Sequence, residues 1–148
     1  MFSRILVPVD VNEPEVAHEA LEAAAALAKA FGSALRLVCV ASPILPGSPL
    51  SVVPQQVYDD IGILEKNKLD QLAGRLDVPG GVTTAVRIGG IYPELLAEAE
   101  EWFADLIVVG AHRRSMATYL LGSTAAALTR HAACTVMIVR SPHKAKLI

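Results

Sequence analysis

The sequence is poor in cysteine, in aromatic residues and in net charge. Among its 148 residues are two cysteines and 5% aromatic residues, and the formal net charge is -2 at pH 7. Cys39 and Cys134 stand in apolar segments without C-x-x-C or metal-ligand spacing, so we expect two small buried thiols in a reducing compartment. Because the basic residues form no stripe, nucleic acid is not expected as a partner.

The sequence also shows no long apolar run and no pattern typical of a secretory leader. No stretch approaches the roughly 18 consecutive apolar residues of a membrane-spanning helix, and the chain passes directly into the segment from Arg4 to Asp10 without a cleavage site. We therefore expect a cytoplasmic protein without membrane insertion. Hydrophobic residues make up 53%, which predicts one packed domain over residues 1–142 and a short tail over 143–148.

The usual catalytic motifs are absent as well. The sequence contains no G-x-x-x-x-G-K-[ST], no G-x-G-x-x-G after its first strand and no G-x-S-x-G. It has no metal-ligand cluster and no nucleophile with a base of its own. The sequence therefore predicts no catalytic residue and no metal ligand, and it favours binding over turnover.

What the sequence does contain is a regular alternation of short apolar runs and longer helical segments. The predicted strands are Ile5 to Val9, Ala34 to Val40, Val82 to Ile88, Leu106 to Gly110 and Thr135 to Arg140. Four helices are predicted. The first runs from Asn12, its cap, to Phe31, and the second from Gln55 to Leu76, as the spacing of Ile61, Leu64, Lys68, Leu69 and Leu72 suggests. The third runs from Tyr92 to Phe103 and the fourth from Gly122 to His131. This alternation requires parallel strands joined by right-handed crossovers. It predicts an α/β fold, a single open doubly wound five-stranded parallel sheet in the order 3-2-1-4-5 with helices on both faces.

Such a sheet binds its ligands outside the carboxyl ends of the strands, where the strand order reverses. Here that point lies between strands one and four. Strand one is followed by Pro8, Val9 and Asp10, and strand four by Gly110, His112 and Arg113; the loop then reaches Gly122, Ser123 and Thr124. A helix beginning there offers unpaired N–H groups, partial positive charge and two hydroxyls, a combination that suits phosphate.

Each of these residues also has a simpler interpretation. Gly122, Ser123 and Thr124 are an ordinary capping sequence, and Gly110 is a common turn residue. Asp10 either accepts hydrogen bonds from ribose hydroxyls or serves the approach to the next helix. His112 and Arg113 either contact phosphate or are solvated loop residues. The position beside the switch point is what favours the binding interpretation.

Several longer segments match a known family. They run from Ile5 to Asp10, from Leu106 to Arg113, from Thr118 to Ala127 and from Arg130 to Arg140. With these segments the chain resembles the universal stress protein family over nearly its whole length, and its His-Arg and Thr-Tyr-Leu-Leu-Gly-Ser pieces resemble the UspF/UspG branch. The resemblance implies a domain that binds ATP or AMP, with Mg²⁺ as an optional companion, and a stress-linked regulatory role.

The resemblance also assigns residues. The family signature is G-x2-G-x9-G-[ST], whose first glycine corresponds to Gly110 and whose closing pair corresponds to Gly122 and Ser123. By the same matching, Pro8, Val9 and Asp10 would lie against adenine and ribose, and Val40 would offer its backbone to the adenine. Arg113 replaces the second glycine and the following segment is one residue shorter, so Arg113 either contacts or blocks the phosphates.

The fifth strand is an apolar edge without charge or proline. Such an edge associates unless it is paired or covered. The resemblance implies a homodimer in which this strand pairs antiparallel across a two-fold axis. The residues concerned are Val136, Met137, Ile138 and Val139.

Three functions remain open from the sequence. The first is a nucleotide-binding regulatory protein that acts by ligand-dependent association with a regulatory protein partner. The second is a slow ATP hydrolase or phosphotransferase using His112, Ser123 or Asp10. The third is an interaction module without nucleotide, in which Arg113 fills the site.

Overall fold

A computed structural model describes residues 1–42, 54–111 and 121–141. Within these ranges every strand but the last is followed by a helix. The strands are β1 (Arg4–Pro8), β2 (Ala34–Ala41), β3 (Val82–Ile88), β4 (Leu106–Gly110) and β5 (Thr135–Val139). The helices are α1 (His18–Phe31), which follows a single 3-10 turn (Pro14–Ala17), α2 (Gln55–Ala73), α3 (Ile91–Glu101) and α4 (Ser123–His131).

The five strands form one parallel sheet in the order β3-β2-β1-β4-β5. This order confirms the predicted doubly wound topology. β1 pairs with β2 along its whole length, with Val7 beside Leu37, and with β4 through Ile5 beside Leu106. The chain therefore changes direction across the sheet between β1 and β4, and this is where a cleft is expected.

The core has two layers because successive side chains of a strand point to opposite faces. Ile5 and Val7 pack on one side with the alanine-rich face of α1 and with Leu69 of α2. Leu6 packs on the other side with residues of α3 and α4, among them Leu128. Small alanines on α1 allow that helix to lie close to the sheet.

A buried carboxylate holds α3 against β2 and β3. Glu98 is 6% exposed, and its two oxygens accept hydrogen bonds from Arg36 Nη1 at 2.8 Å and from Arg87 Nη1 at 2.9 Å. The guanidinium of Arg36 also lies over the Trp102 ring, 4.7 Å from its centroid. Hydrogen bonds from Arg87 to Glu101, then to Glu94 and Glu98, raise the pKa of this guanidinium above its already high value.

Two local predictions are wrong. Asn12 caps no helix: the 3-10 turn begins after Glu13, without a side-chain cap in the described residues, and the Asn12 N–H donates to Asp10 Oδ1 at 3.0 Å. Leu64 does not face the core, since it is 55% exposed, whereas Leu69 is fully buried. The helix α2 is rotated relative to the predicted amphipathic face.

Several element ends differ from the sequence prediction by one to three residues, as helix and strand ends commonly do. β1 runs one residue earlier, β2 extends to Ala41, and β5 ends at Val139. The helix α2 ends at Ala73 rather than Leu76, and α3 ends at Glu101. The predicted tail over 143–148 lies outside the described residues. None of the described helices combines the length and apolar character needed to cross a membrane.

Candidate functional site

A cleft of about 750 Å³ opens at the carboxyl edge of the sheet. Its walls are the ends of β1, β2 and β4, the beginnings of α3 and α4, and one face of α2. The volume lies within the range of about 300–1,000 Å³ that is usual for small-molecule sites. Its position at the reversal of strand order is the one predicted from the sequence.

The structure brings most of the predicted binding residues together in this cleft. The lining residues include Pro8, Val9, Asp10, Val40, Gly110, Gly122, Ser123 and Thr124. They come from three strand ends and from the first turn of α4, far apart in the chain. His112 and Arg113 lie outside the described residues. Whether these side chains bind a ligand stays a prediction.

The first turn of α4 lies in the cleft wall. Gly122 occupies the position before the helix in extended conformation, and no side chain from the described residues caps it. Its own N–H donates to the Ala111 carbonyl oxygen at 2.7 Å, while its carbonyl accepts from the Ala126 N–H at 2.9 Å. Helix geometry therefore leaves the N–H groups of Ser123, Thr124 and Ala125 without an acceptor in α4. This end of the helix also carries partial positive charge, which suits an anion.

Asp10 has a local structural role as well as a place in the cleft wall. Its Oδ1 accepts from the N–H two residues later, in an Asx-type turn that orders the loop after β1. A further hydrogen bond joins this loop to α2: Lys68 Nζ donates to Asn12 Oδ1 at 3.0 Å. Asp10 therefore serves the approach to the next helix, and it also lines the cleft. Its contact with a ribose stays a prediction.

The sequence profile of the Universal stress protein family matches residues 1–140. The chain belongs to the universal stress protein family. It is similar to Universal stress protein G of Salmonella typhimurium, with 32% identity over 148 residues that cover 95% of this chain and 100% of the relative. The resemblance inferred from the sequence is confirmed.

Solved structures share the fold. Universal stress protein UspA from Lactobacillus plantarum has 25% identity and a TM-score of 0.77, with 93% of this chain and 97% of that chain covered. A universal stress protein in complex with cAMP has 22% identity and a TM-score of 0.62, covering 95% and 98%. An AMP-bound family protein from Arabidopsis thaliana has 16% identity and a TM-score of 0.62, covering 95% and 93%.

Gly110 packs closely against the 3-10 turn at the cleft wall. A Cβ added to it would come within 3.2 Å of the Val16 carbonyl oxygen. The absence of a side chain therefore lets the 3-10 turn lie against the end of β4. This backbone contact is a structural reason that favours glycine at position 110.

Sequence reasoning missed the α2 side of the cleft. Ile61 and Glu65 of α2, Cys39 of β2 and Ile91 of α3 all line it. Burial first, and then the negative charges of Glu65 and Asp10, raise the pKa of the Cys39 thiol to about 12. The signal that could have revealed Ile61 and Glu65 is their spacing of four from each other and from Leu69, which places all three on one helical face.

The described residues contain no group of three His, Cys, Asp or Glu side chains placed to hold a metal ion. The polar groups of the cleft include the N–H groups at the start of α4, the hydroxyls of Ser123 and Thr124, and the carboxylates of Asp10 and Glu65. Donors for an anion thus lie on one side, and acceptors for hydroxyl or amine groups lie on the other.

Proposed function

We propose that this protein binds an adenine nucleotide, ATP first and AMP second, and that the bound nucleotide controls its association with a regulatory partner in a stress response. The observation that carries the proposal is the cleft itself. It joins the open N-terminal turn of α4 to the apolar ends of β1 and β2 and to the Asp10 carboxylate. The AMP and cAMP present in two structures of the same fold support it.

Each part of a nucleotide has a counterpart in the cleft. The phosphates rest on the N–H groups and hydroxyls of Ser123 and Thr124 beside Gly122, where the helix end favours negative charge. The ribose hydroxyls donate to Asp10, and the base lies against Val9 and Val40.

The proposal assigns two further phosphate contacts to the segment after β4. Arg113 contributes its guanidinium in place of the family's second glycine, and His112 is the second candidate contact. A planar guanidinium binds phosphate oxygens through paired hydrogen bonds, which backbone amides of a glycine loop otherwise provide. Mg²⁺ would arrive with ATP, coordinated mainly by phosphate oxygens and water.

Calorimetric titration of the purified chain with ATP and with AMP tests the proposal. We expect saturable heat with at least one of them at physiological concentration, together with an upward thermal shift. Absence of both heat and shift would exclude nucleotide binding as the function.

A pair of glycine variants makes the test specific to the α4 turn. Gly122→Val places a branched side chain where the phosphate is expected, at a backbone conformation that valine accepts. It should abolish binding and leave the circular dichroism spectrum unchanged. Gly62→Val is the matched control, because a Cβ there meets nothing within 4 Å, and it should bind as the unaltered chain does.

We further propose a cytoplasmic homodimer joined along β5. Both thiols are free, which fits a reducing compartment. Among the described strands it lies at one edge of the sheet and pairs only with β4, and its apolar residues from Val136 to Val139 are only partly buried. Antiparallel pairing with a second copy would satisfy this edge.

A further inference from the structure

At the cleft, the apolar face of α2 is interrupted by a charged residue. Ile61, Glu65 and Leu69 follow each other at intervals of four, so they lie one above the other on the side facing the sheet. Leu69 is fully buried in the core, and Ile61 lines the cleft. An apolar residue is expected between them, yet a carboxylate is there. Local violations of this kind concentrate at functional sites.

Glu65 also differs from the other acidic residues of α2 in its contacts. Asp59, Asp60 and Asp70 each accept a hydrogen bond from a side chain four residues earlier on the same helix. Glu65 is half-buried, lines the cleft, and makes no hydrogen bond or ion pair with any of the described residues. Its charge acts instead on the Cys39 thiol in the cleft wall. A half-buried carboxylate that has no donor among the described residues is placed to accept a hydrogen bond from a ligand in the cleft.

The order of elements indicates which part of a nucleotide Glu65 meets. From the α4 end the cleft passes over β4, then β1 with Asp10, then β2 with Cys39, and reaches Glu65 on α2. Neighbouring strands are about 4.8 Å apart, so β4 and β2 are separated by about 10 Å. A nucleotide with its phosphate on α4 therefore has its sugar near Asp10 and its base near Glu65. A phosphate at the Glu65 side would instead be repelled by two carboxylates.

We propose that Glu65 is a specificity-determining residue of the cleft, accepting a hydrogen bond from the exocyclic amine of adenine; this inference rests on the nucleotide-binding function proposed above. The amine is the donor that distinguishes adenine from a purine without a substituent at that carbon. A hydrogen bond to a charged acceptor corresponds to a preference of about tenfold or more for the base that carries it. Bases with a carbonyl at that carbon place an acceptor against the carboxylate and are disfavoured.

The experiment compares two ligands that differ only in that amine. AMP and purine riboside 5′-monophosphate are titrated into the unaltered chain and into Glu65→Leu, and the corresponding triphosphates are titrated in parallel. The unaltered chain should prefer the adenine nucleotide by about tenfold. Glu65→Leu should lose most of this preference. Leucine continues the apolar stripe, so this variant should fold, which a thermal melt checks.

Two further variants separate hydrogen bonding from charge. Glu65→Gln keeps a carbonyl oxygen that can accept from the amine, and it should retain a reduced preference for adenine. Asp60→Asn makes the same change of charge on the exposed side of α2, where Asp60 contacts Gln56, and it should keep the full preference.

The outcomes are distinguishable from those of the proposed function. If the unaltered chain binds none of these nucleotides, the proposed function is overturned together with this inference. If it binds adenine nucleotides but without preference over the purine riboside, or if Glu65→Leu keeps the preference, only the role of Glu65 is overturned.

Discussion

The Glu65 carboxylate on α2 acts on the Cys39 thiol on β2, and both side chains line the same cleft. Burial is the larger cause and the charge of Glu65 the next, and with a contribution from Asp10 they raise the pKa of Cys39 from 9.0 to about 12. A thiol in this state stays neutral at physiological pH and behaves as part of an apolar wall. The reactivity of this thiol therefore depends on the charge of the neighbouring Glu65 carboxylate.

Cys39 should therefore react slowly with iodoacetamide. At pH 8 a thiol of pKa about 12 has a thiolate fraction about a thousandfold below that of an ordinary cysteine, and its burial slows labelling further. Glu65→Gln removes one of the charges that raise the pKa and should accelerate labelling of Cys39, measured by mass spectrometry of the peptide. Asp60→Asn is the control. An unchanged rate in Glu65→Gln would show that the carboxylate does not act on the thiol.

The sheet order and the start of α4 could be predicted from the sequence because backbone geometry dictates them. Strands separated by helices must run parallel with right-handed crossovers, and the switch point then fixes which loops meet. Gly122 before Ser123 marks the first turn of the last helix by ordinary capping chemistry. The positions of Asp10 and Gly110 in the cleft wall follow from their places at the ends of β1 and β4.

The face of α2 could not be predicted in the same way. Ile61, Leu64 and Leu69 all fit a helical period, and hydrophobicity alone favours placing Leu64 inward. Packing against the sheet turned the helix so that Leu64 is exposed and Glu65 lines the cleft. The decisive information is the fit of the helix to β2 and β3, which no local pattern contains.

Removing Glu98 should destabilise the fold more than removing a neighbouring exposed acid. Glu98→Gln leaves the guanidinium groups of Arg36 and Arg87, whose side chains are 24% and 20% exposed, without their shared carboxylate. We expect a loss of about 3 kcal/mol in the free energy of unfolding, measured by urea denaturation. Glu101→Gln is the control, because its side chain is 67% exposed, and it should change stability little. Equal effects would contradict a structural role for the buried carboxylate.

Stability should fall on acidification as the carboxylates of Asp70 and Glu101 become protonated. Hydrogen bonds from Lys66 and then Thr84 lower the pKa of Asp70 below 3.8, and the hydrogen bond from Arg87 lowers the pKa of Glu101 below 4.5. A lowered pKa in the folded state means that the stabilisation is complete above these ordinary values and is lost as pH falls below them. Melting temperature measured against pH should therefore decline more gently in the double variant Asp70→Asn, Glu101→Gln. Both groups are exposed, so the difference is modest, and identical profiles would contradict the assignment.

The β5 edge offers a sharp test of the proposed homodimer. The Val139 carbonyl accepts from the Ala111 N–H beside β4, so Val139 directs its backbone groups inward. Because these groups alternate along a strand, Ile138 directs its N–H and C=O to the free edge. Ile138→Pro removes that outward N–H and leaves the ladder to β4 in place, since proline is tolerated at sheet edges.

Light scattering coupled to size exclusion should then find a dimer for the unaltered chain and a monomer for Ile138→Pro. Ile138→Val keeps the N–H and a branched apolar side chain, and it should remain dimeric. Circular dichroism checks that the proline variant is folded, and titration with AMP should give unchanged affinity because Ile138 lies outside the cleft. A dimer that persists in the proline variant would place the interface on a different surface, and an unaltered chain that is monomeric would refute the proposed assembly.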